Sequence, residues 1–229
     1  MTALDPRSAD RPAAVLAPSA LHIVHPERDV DLVAAEAAAA AFLGALGVDL
    51  DTESTRETPR RMAAAYAEMF SPRPFDLTTF PNDQGYDQLV LARSIPVQSV
   101  CEHHLLPFVG VAHVGYLPGE RIVGLSKLAR VVEMFARRPQ VQERLTQQVA
   151  DWLQTELSPR GVGVVIEAEH LCMSVRGVRS AGASTVTSAL HGLLRDQSAT
   201  RAEFLALATT GHRTEPQPEP MTSGTRPRE

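Results

Sequence analysis

Cys101-Glu102-His103-His104 sets a soft thiol, a carboxylate and two imidazoles in four consecutive residues. Cys101 and His104 stand at i and i+3, so a tight turn can aim both side chains at one point. Cysteine sulfur and histidine nitrogen are favoured Zn²⁺ ligands, and closely spaced pairs are a common way to present them. The other cysteine, Cys172, also adjoins a histidine, in Glu169-His170-Leu171-Cys172. A buried free thiol is the plain alternative at each place, and it weakens because both cysteines are embedded with His and Glu. Cys101, His104 and Cys172 as three protein ligands leave a coordination position for water, the mark of a catalytic zinc. Zinc lowers the pKa of such a water to about 7. His103 and His170 are then spare imidazoles suited to general acid–base work near neutrality, or hydrogen-bonding partners of the ligands. A non-catalytic structural zinc would need a fourth protein ligand, for which His113 is the nearest candidate.

These residues must be held by a scaffold that the pattern outlines. Asp29 to about Gly47 is alanine-rich and helix-forming, with Gly47 as a stop. Thr58-Pro59-Arg60-Arg61 opens a second helix, with Thr58 as N-cap and proline at the first helical position. The two helices form a hairpin over residues 29–75. Pro72 to Tyr86 reads as loop, and strands follow at Leu89–Ile95, Phe108–Tyr116 and Ile122–Gly124. From Ser126, read as an N-cap, Leu128, Val131, Val132 and Phe135 recur at helical spacing. Lys127 and Arg130 lie in the first turns of that helix, where cations oppose the macrodipole unless an anion binds; two solvated charges are the bland reading. Val141 to Leu157 is a further amphipathic helix carrying Gln142 and Glu143. Val162 to Val178 reads as extended chain, and continuous extension would set His170, Cys172, Ser174 and Arg176 on one face. A strand at Thr185–Ala189 and a short helix from Ser198 complete residues 76–210. The predicted class is α+β: an antiparallel sheet with two helices on one face, preceded by the helical hairpin.

The chain has 229 residues, 44% hydrophobic, enough for one well-filled core with a helical annex. A net charge of −5 argues against a nucleic-acid partner, though a pocket can still be locally basic. Two cysteines do not make a disulfide scaffold, which suggests a reduced, cytoplasmic protein. No apolar run of about 18 residues is present to span a membrane. Residues 1–28 read as a loose tail rather than a signal peptide, and residues 211–229 as a disordered one.

Six stretches in order carry a resemblance: Cys101–Phe108, Gly124–Arg130, Phe135–Thr146, Glu167–Met173, Arg176–Val178 and Thr185–Ala189, with Thr58–Arg61 and Gly85-Tyr86. From about Asp29 to Leu207 the chain resembles GTP cyclohydrolase I, the zinc-dependent first enzyme of folate and pterin biosynthesis. The resemblance implies a tunnelling fold whose subunits assemble into toroidal homodecamers, with active sites at subunit junctions. It implies Zn²⁺ on Cys101, His104 and Cys172, with His103, His170 and Ser126 as proton carriers. Glu143 would anchor the guanine ring with Gln142 beside it, and Lys127, Arg130 and Arg176 would hold the triphosphate and ribose of GTP. The implied reaction is hydrolytic opening of the imidazole ring, giving formate and 7,8-dihydroneopterin triphosphate. Ser174-Val175, Ser180-Ala181 and Leu190–Leu194 depart from the family pattern, which leaves room for a less active paralogue. Two rivals are another purine or pterin enzyme of the same fold, such as a zinc-free nitrile reductase with a cysteine nucleophile, and a zinc nucleoside deaminase. The deaminase would need a His-x-Glu motif together with Pro-Cys-x-x-Cys, and the sequence has no Pro-Cys-x-x-Cys.

Overall fold

The computed structural model describes residues 21–22 and 30–209. The expected tails lie outside the described residues, except that β1 (Leu21–His22) pairs with β2 (Asp76–Leu77). In helix α1 (Leu32–Ala45) the Asp31 carboxylate accepts from the Ala34 N–H at 2.9 Å, satisfying one orphan donor of the first turn. Gly47 adopts φ 78° just beyond its end, a conformation a side chain would resist. Helix α2 (Thr58–Met69) packs against α1. The expected cap at Thr58 is not formed: Glu57 occupies the N-cap position, with no side-chain cap bond, and Pro59 lies in the first turn.

The segment 72–86, expected as loop, contains β2 and β3 (Thr79–Pro81). The β3 strand pairs antiparallel with β6 (Arg121–Val123). The main sheet has the order β7 (Pro139–Gln140), β4 (Val90–Cys101), β5 (Pro107–Leu117), β8 (Gly161–His170) and β9 (Thr185–Gly192). Every neighbour is antiparallel except the two-residue β4–β7 pair. Strand β4 runs beyond the expected Ile95, through a register shift between Ala92 and Ile95, to Cys101. Ser94, at φ 55° in that shift, donates its N–H to His113 Nδ1 at 3.4 Å. A bulge breaks side-chain alternation, so the strand reads as ending at Ile95 in the sequence.

Helices α3 (Leu125–Ala136) and α4 (Gln142–Leu157) pack on one face of the sheet, as the α+β reading expects. Leu128, Val131 and Val132 of α3 and Leu145, Val149 and Leu153 of α4 meet Val97, Phe108, Val114 and Val164 in one buried core. Gly124, not Ser126, is the N-cap of α3. The other face carries a smaller cluster not foreseen from the pattern, made by α6 (Leu193–Asp196) and α7 (Ser198–Thr209). Phe204 of α7 is fully buried over Gly115 and Gly163, which face each other across β5 and β8. A Cβ at Gly163 would stand 2.7 Å from the Phe204 ring, so the glycine pair is the seat of that ring. Phe204→Ala empties the seat and is expected to lower unfolding free energy by about 3–5 kcal/mol, read from urea midpoints at unchanged slope.

Candidate metal and substrate site

Strand β4 ends at Cys101, and residues 101–106 turn back into β5. The Leu105 N–H donates to the Cys101 carbonyl at 2.8 Å and the Cys101 N–H to the Leu106 carbonyl at 2.9 Å. Leu105 takes φ 53°, a left-handed conformation uncommon outside glycine, to close the turn. The Tyr66 hydroxyl of α2 donates to the Leu105 carbonyl at 2.9 Å, tying the hairpin to this turn.

Strand β8 stops at His170, and Leu171–Ser174 forms a helical turn, α5. The continuous extension expected from Val162 to Val178 is therefore wrong, and the shared strand face with it. Instead the turn folds Cys172 inward. Cys101, Cys172 and His170 come together with their ligand atoms within 4.8 Å of one another, both thiols buried. On the exposed turn, His103 Nδ1 lies 3.8 Å and His104 Nδ1 3.9 Å from Cys101 Sγ. His113 is 4% exposed and pairs across the sheet with Val165 of the smaller cluster, outside this group.

His170 is closely fixed. Its ring stacks on Phe108 at 4.6 Å and 10°, and its Nε2 lies 2.8 Å from Gln142 Oε1. Gln142 is 1% exposed, and its amide nitrogen donates to the Ile166 carbonyl (3.0 Å), the Thr185 carbonyl (2.8 Å) and Thr187 Oγ1 (3.1 Å). Carbonyls only accept, so the amide orientation is set, and Oε1 must be the acceptor facing His170. The proton then belongs on Nε2, leaving Nδ1 with its lone pair. Burial lowers the His170 pKa, opposed by the nearby Glu143 carboxylate, so the ring is neutral at pH 7.

Burial, and then the Cys101 thiol, pushes the Cys172 thiol up. The Cys172 thiol is thereby held in its protonated form until a cation draws the proton off. Two thiols and an imidazole form the donor set that zinc takes and hard, oxygen-seeking cations do not. The residues fit a metal of that kind.

Gln142 and Glu143 open α4 beside this group, because β7, which leads into α4, pairs with β4 at Cys101. Glu143 is exposed. Ser126, Lys127 and Arg130 lie elsewhere. Ser99 Oγ donates to the Ala136 carbonyl at 2.7 Å, so the C-terminal end of α3 adjoins the metal-bearing end of β4. Ser126 is then about 15 Å further along the helix at 1.5 Å per residue. Arg130 pairs with Glu133 at 3.2 Å, and Arg73 chelates the same carboxylate at 2.7 and 2.8 Å. Those cations, Arg73 first, hold Glu133 below the usual carboxylate range. Arg176 is exposed beyond α5, near enough to lower the Cys172 pKa slightly. One chain thus gathers Cys101, His103, His104, Gln142, Glu143, His170 and Cys172, and leaves the N-terminus of α3 remote. Phe108 and Tyr66 were missed as site residues, and no local signal marks either one. Apolar spacing explains Phe108 as core, and Tyr66 meets its partner 39 residues away.

A sulfur–imidazole group at the ends of two strands of an antiparallel sheet, with a carboxylate at a helix start beside it, defines a metalloenzyme-type site. The family profile described as GTP cyclohydrolase I matches residues 35–209. A protein named GTP cyclohydrolase 1 from Mycolicibacterium paratuberculosis is 54% identical over 188 residues, covering 80% of this chain and 92% of its own. Namesakes from Streptomyces avermitilis (58% identical, 76% of this chain and 88% of the relative) and Aquifex aeolicus (55%, 72% and 90%) agree. The chain belongs to the GTP cyclohydrolase I family.

Proposed function

We propose that the protein catalyses hydrolytic opening of the guanine imidazole ring of GTP, releasing formate and forming 7,8-dihydroneopterin triphosphate. The observation that carries this reading is the cluster of both cysteines with His170, closed by Gln142 and flanked by Glu143. Zn²⁺ would be held by Cys101, His104 and Cys172. His104 shares a turn with Cys101, whereas the His170 ring is already fixed by Phe108 and Gln142 for a different task. When bound, zinc supplies the Lewis acidity that makes water nucleophilic near neutral pH.

Glu143 accepts from the paired N–H groups of the guanine edge, which aligns C8 with the thiol cluster. Water adds across C8=N7 with His103 delivering the proton to N7, and the C8–N9 bond then breaks as the C8 hydroxyl becomes a carbonyl and its proton passes to N9. A second hydrolysis releases formate. His170, neutral with an unprotonated Nδ1, takes up a proton during the sugar rearrangement, and Ser126 relays another. Ring closure expels one water, so the net reaction is GTP plus one water to two products. Lys127, Arg130 and Arg176 neutralise the triphosphate, the first two at a helix N-terminus whose free N–H groups favour an anion.

Because Ser126 lies about 15 Å of helix from the Cys101 end of its own chain, a complete site needs the α3 start of another copy. That supports a homo-oligomer with sites between subunits, a decamer by resemblance. Exposed Val33 and Phe42 on α1 and Leu46 just past its end support a further contact between hairpins. We divide the chain into tails at 1–28 and 211–229, a hairpin at 29–75 and a catalytic domain at 76–210. No helix among the described residues is long and apolar enough to cross a membrane, and two free buried thiols fit a reducing compartment such as the cytoplasm.

Incubation of zinc-loaded protein with GTP should yield formate and, after oxidation, a fluorescent neopterin. Zinc-loaded protein that binds GTP and releases no formate would overturn the reading in favour of a paralogue that binds without turnover.

A further inference from the structure

Glu102 stands between Cys101 and His103, and Arg144 directly follows Glu143. The Arg144 Nη2 donates to the Glu102 carboxylate and, at 3.4 Å, to the Pro139 carbonyl, while Nε donates to Gln140 Oε1 at 2.8 Å. Gln140 is fully buried and locked in turn: its amide donates to the Phe135 carbonyl at 2.9 Å and to Gln148 Oε1 at 2.8 Å. The Glu102 N–H donates to the Gln140 carbonyl at 2.9 Å. Glu102 is therefore tied to the β7–α4 corner at both its backbone and its side chain.

The parallel ladder between β4 and β7 consists of Val100 with Pro139 and Cys101 with Gln140, and goes no further. Beyond Cys101 the Glu102–Arg144 bridge continues the connection where backbone pairing ends. Exposed ion pairs generally stabilise little, because two flexible side chains must be ordered. Here the guanidinium is already oriented by a buried amide, so the pair is suited to fixing geometry more than to adding stability.

We propose that Glu102 and Arg144 are positioning residues that hold the Cys101–His104 turn in register with the first turn of α4, and so His103 against the base that Glu143 anchors. The inference rests on the reading of the site as a GTP-hydrolysing centre. The pair lies outside the residues assigned to substrate and metal; it sets the distance between them.

The test compares Glu102→Ala, Arg144→Ala and the double variant with wild type. Each single change should lower kcat for formate release about 10–100-fold, the range for partners that orient site residues. KM for GTP and zinc per chain should stay within twofold, and the double variant should be no worse than the worse single one. Glu102→Gln, which still accepts from Arg144, should recover part of the loss. Amide exchange across residues 101–106 should quicken at least threefold in the single variants. Unchanged kcat, zinc lost in parallel with activity, or fully multiplicative single effects would each overturn the proposal. If wild type itself releases no formate, the functional reading fails instead, and exchange across 101–106 still decides whether the pair holds the turn.

Discussion

Cys172→Ser is expected to remove bound zinc and formate release together. The hydroxyl is a poor replacement, because its proton is held far more tightly than a thiol's and its oxygen is a harder donor than sulfur. Zinc measured per chain should fall from about one to under a tenth, and turnover by about 1,000-fold or more, since the metal supplies the nucleophile's acidity. Fold should survive: serine is nearly the size of cysteine, and Cys172 sits on a single helical turn, 8% exposed, in the same buried cluster as the fully buried Leu128 and Val164. The third ligand is separated by two companions. His104→Asn should lose zinc, while His170→Asn should keep zinc and lose turnover. The reverse pattern would make His170 the third ligand, a role its place in the 4.8 Å group allows. Zinc retained at full stoichiometry in Cys172→Ser would overturn the metal assignment outright.

What could be read from the chain was local. Helix α1 shows its alanine run and its stop at Gly47, and α3 shows the spacing of Leu128, Val131 and Val132 that buries one face. The clustering of each cysteine with histidine marks a chemical centre without any structure. What escaped depends on partners distant in sequence or on breaks in periodicity. The bulge at Ala92–Ile95 disguised one twelve-residue strand as a shorter one. The helical turn at 171–174 has no proline or glycine before it to announce that β8 has ended, so alternation ran on past His170 on paper. Phe204 could not be assigned to a second cluster because its seat is defined by two glycines, Gly115 and Gly163, which carry no apolar signal. Separation along α3 was hidden for a related reason: helical spacing tells which face is buried, not which end of the helix meets the metal.

Gln142→Met is expected to lower kcat about 100-fold, at the upper end for a residue that orients a functional imidazole, while KM for GTP changes less than threefold. The resemblance sets Gln142 beside the guanine, but its amide is committed elsewhere. Its nitrogen serves the Ile166 and Thr185 carbonyls, and its oxygen receives the His170 Nε2–H. Methionine matches the length and removes every one of these bonds. His170 would then lose the partner that keeps its proton on Nε2, and the population with an unprotonated Nδ1 would shrink. Nitrogen NMR of the ring reads that directly, as a shift from one tautomer towards a mixture. Stability should drop by about 1–3 kcal/mol, because a buried donor and carbonyls are left without partners. Phe108 still stacks on the ring in the variant, so His170 is expected to stay in place and change only its protonation pattern. If KM instead rises with kcat intact, Gln142 acts on the substrate itself, and the hydrogen bond to His170 is broken or bypassed when GTP binds.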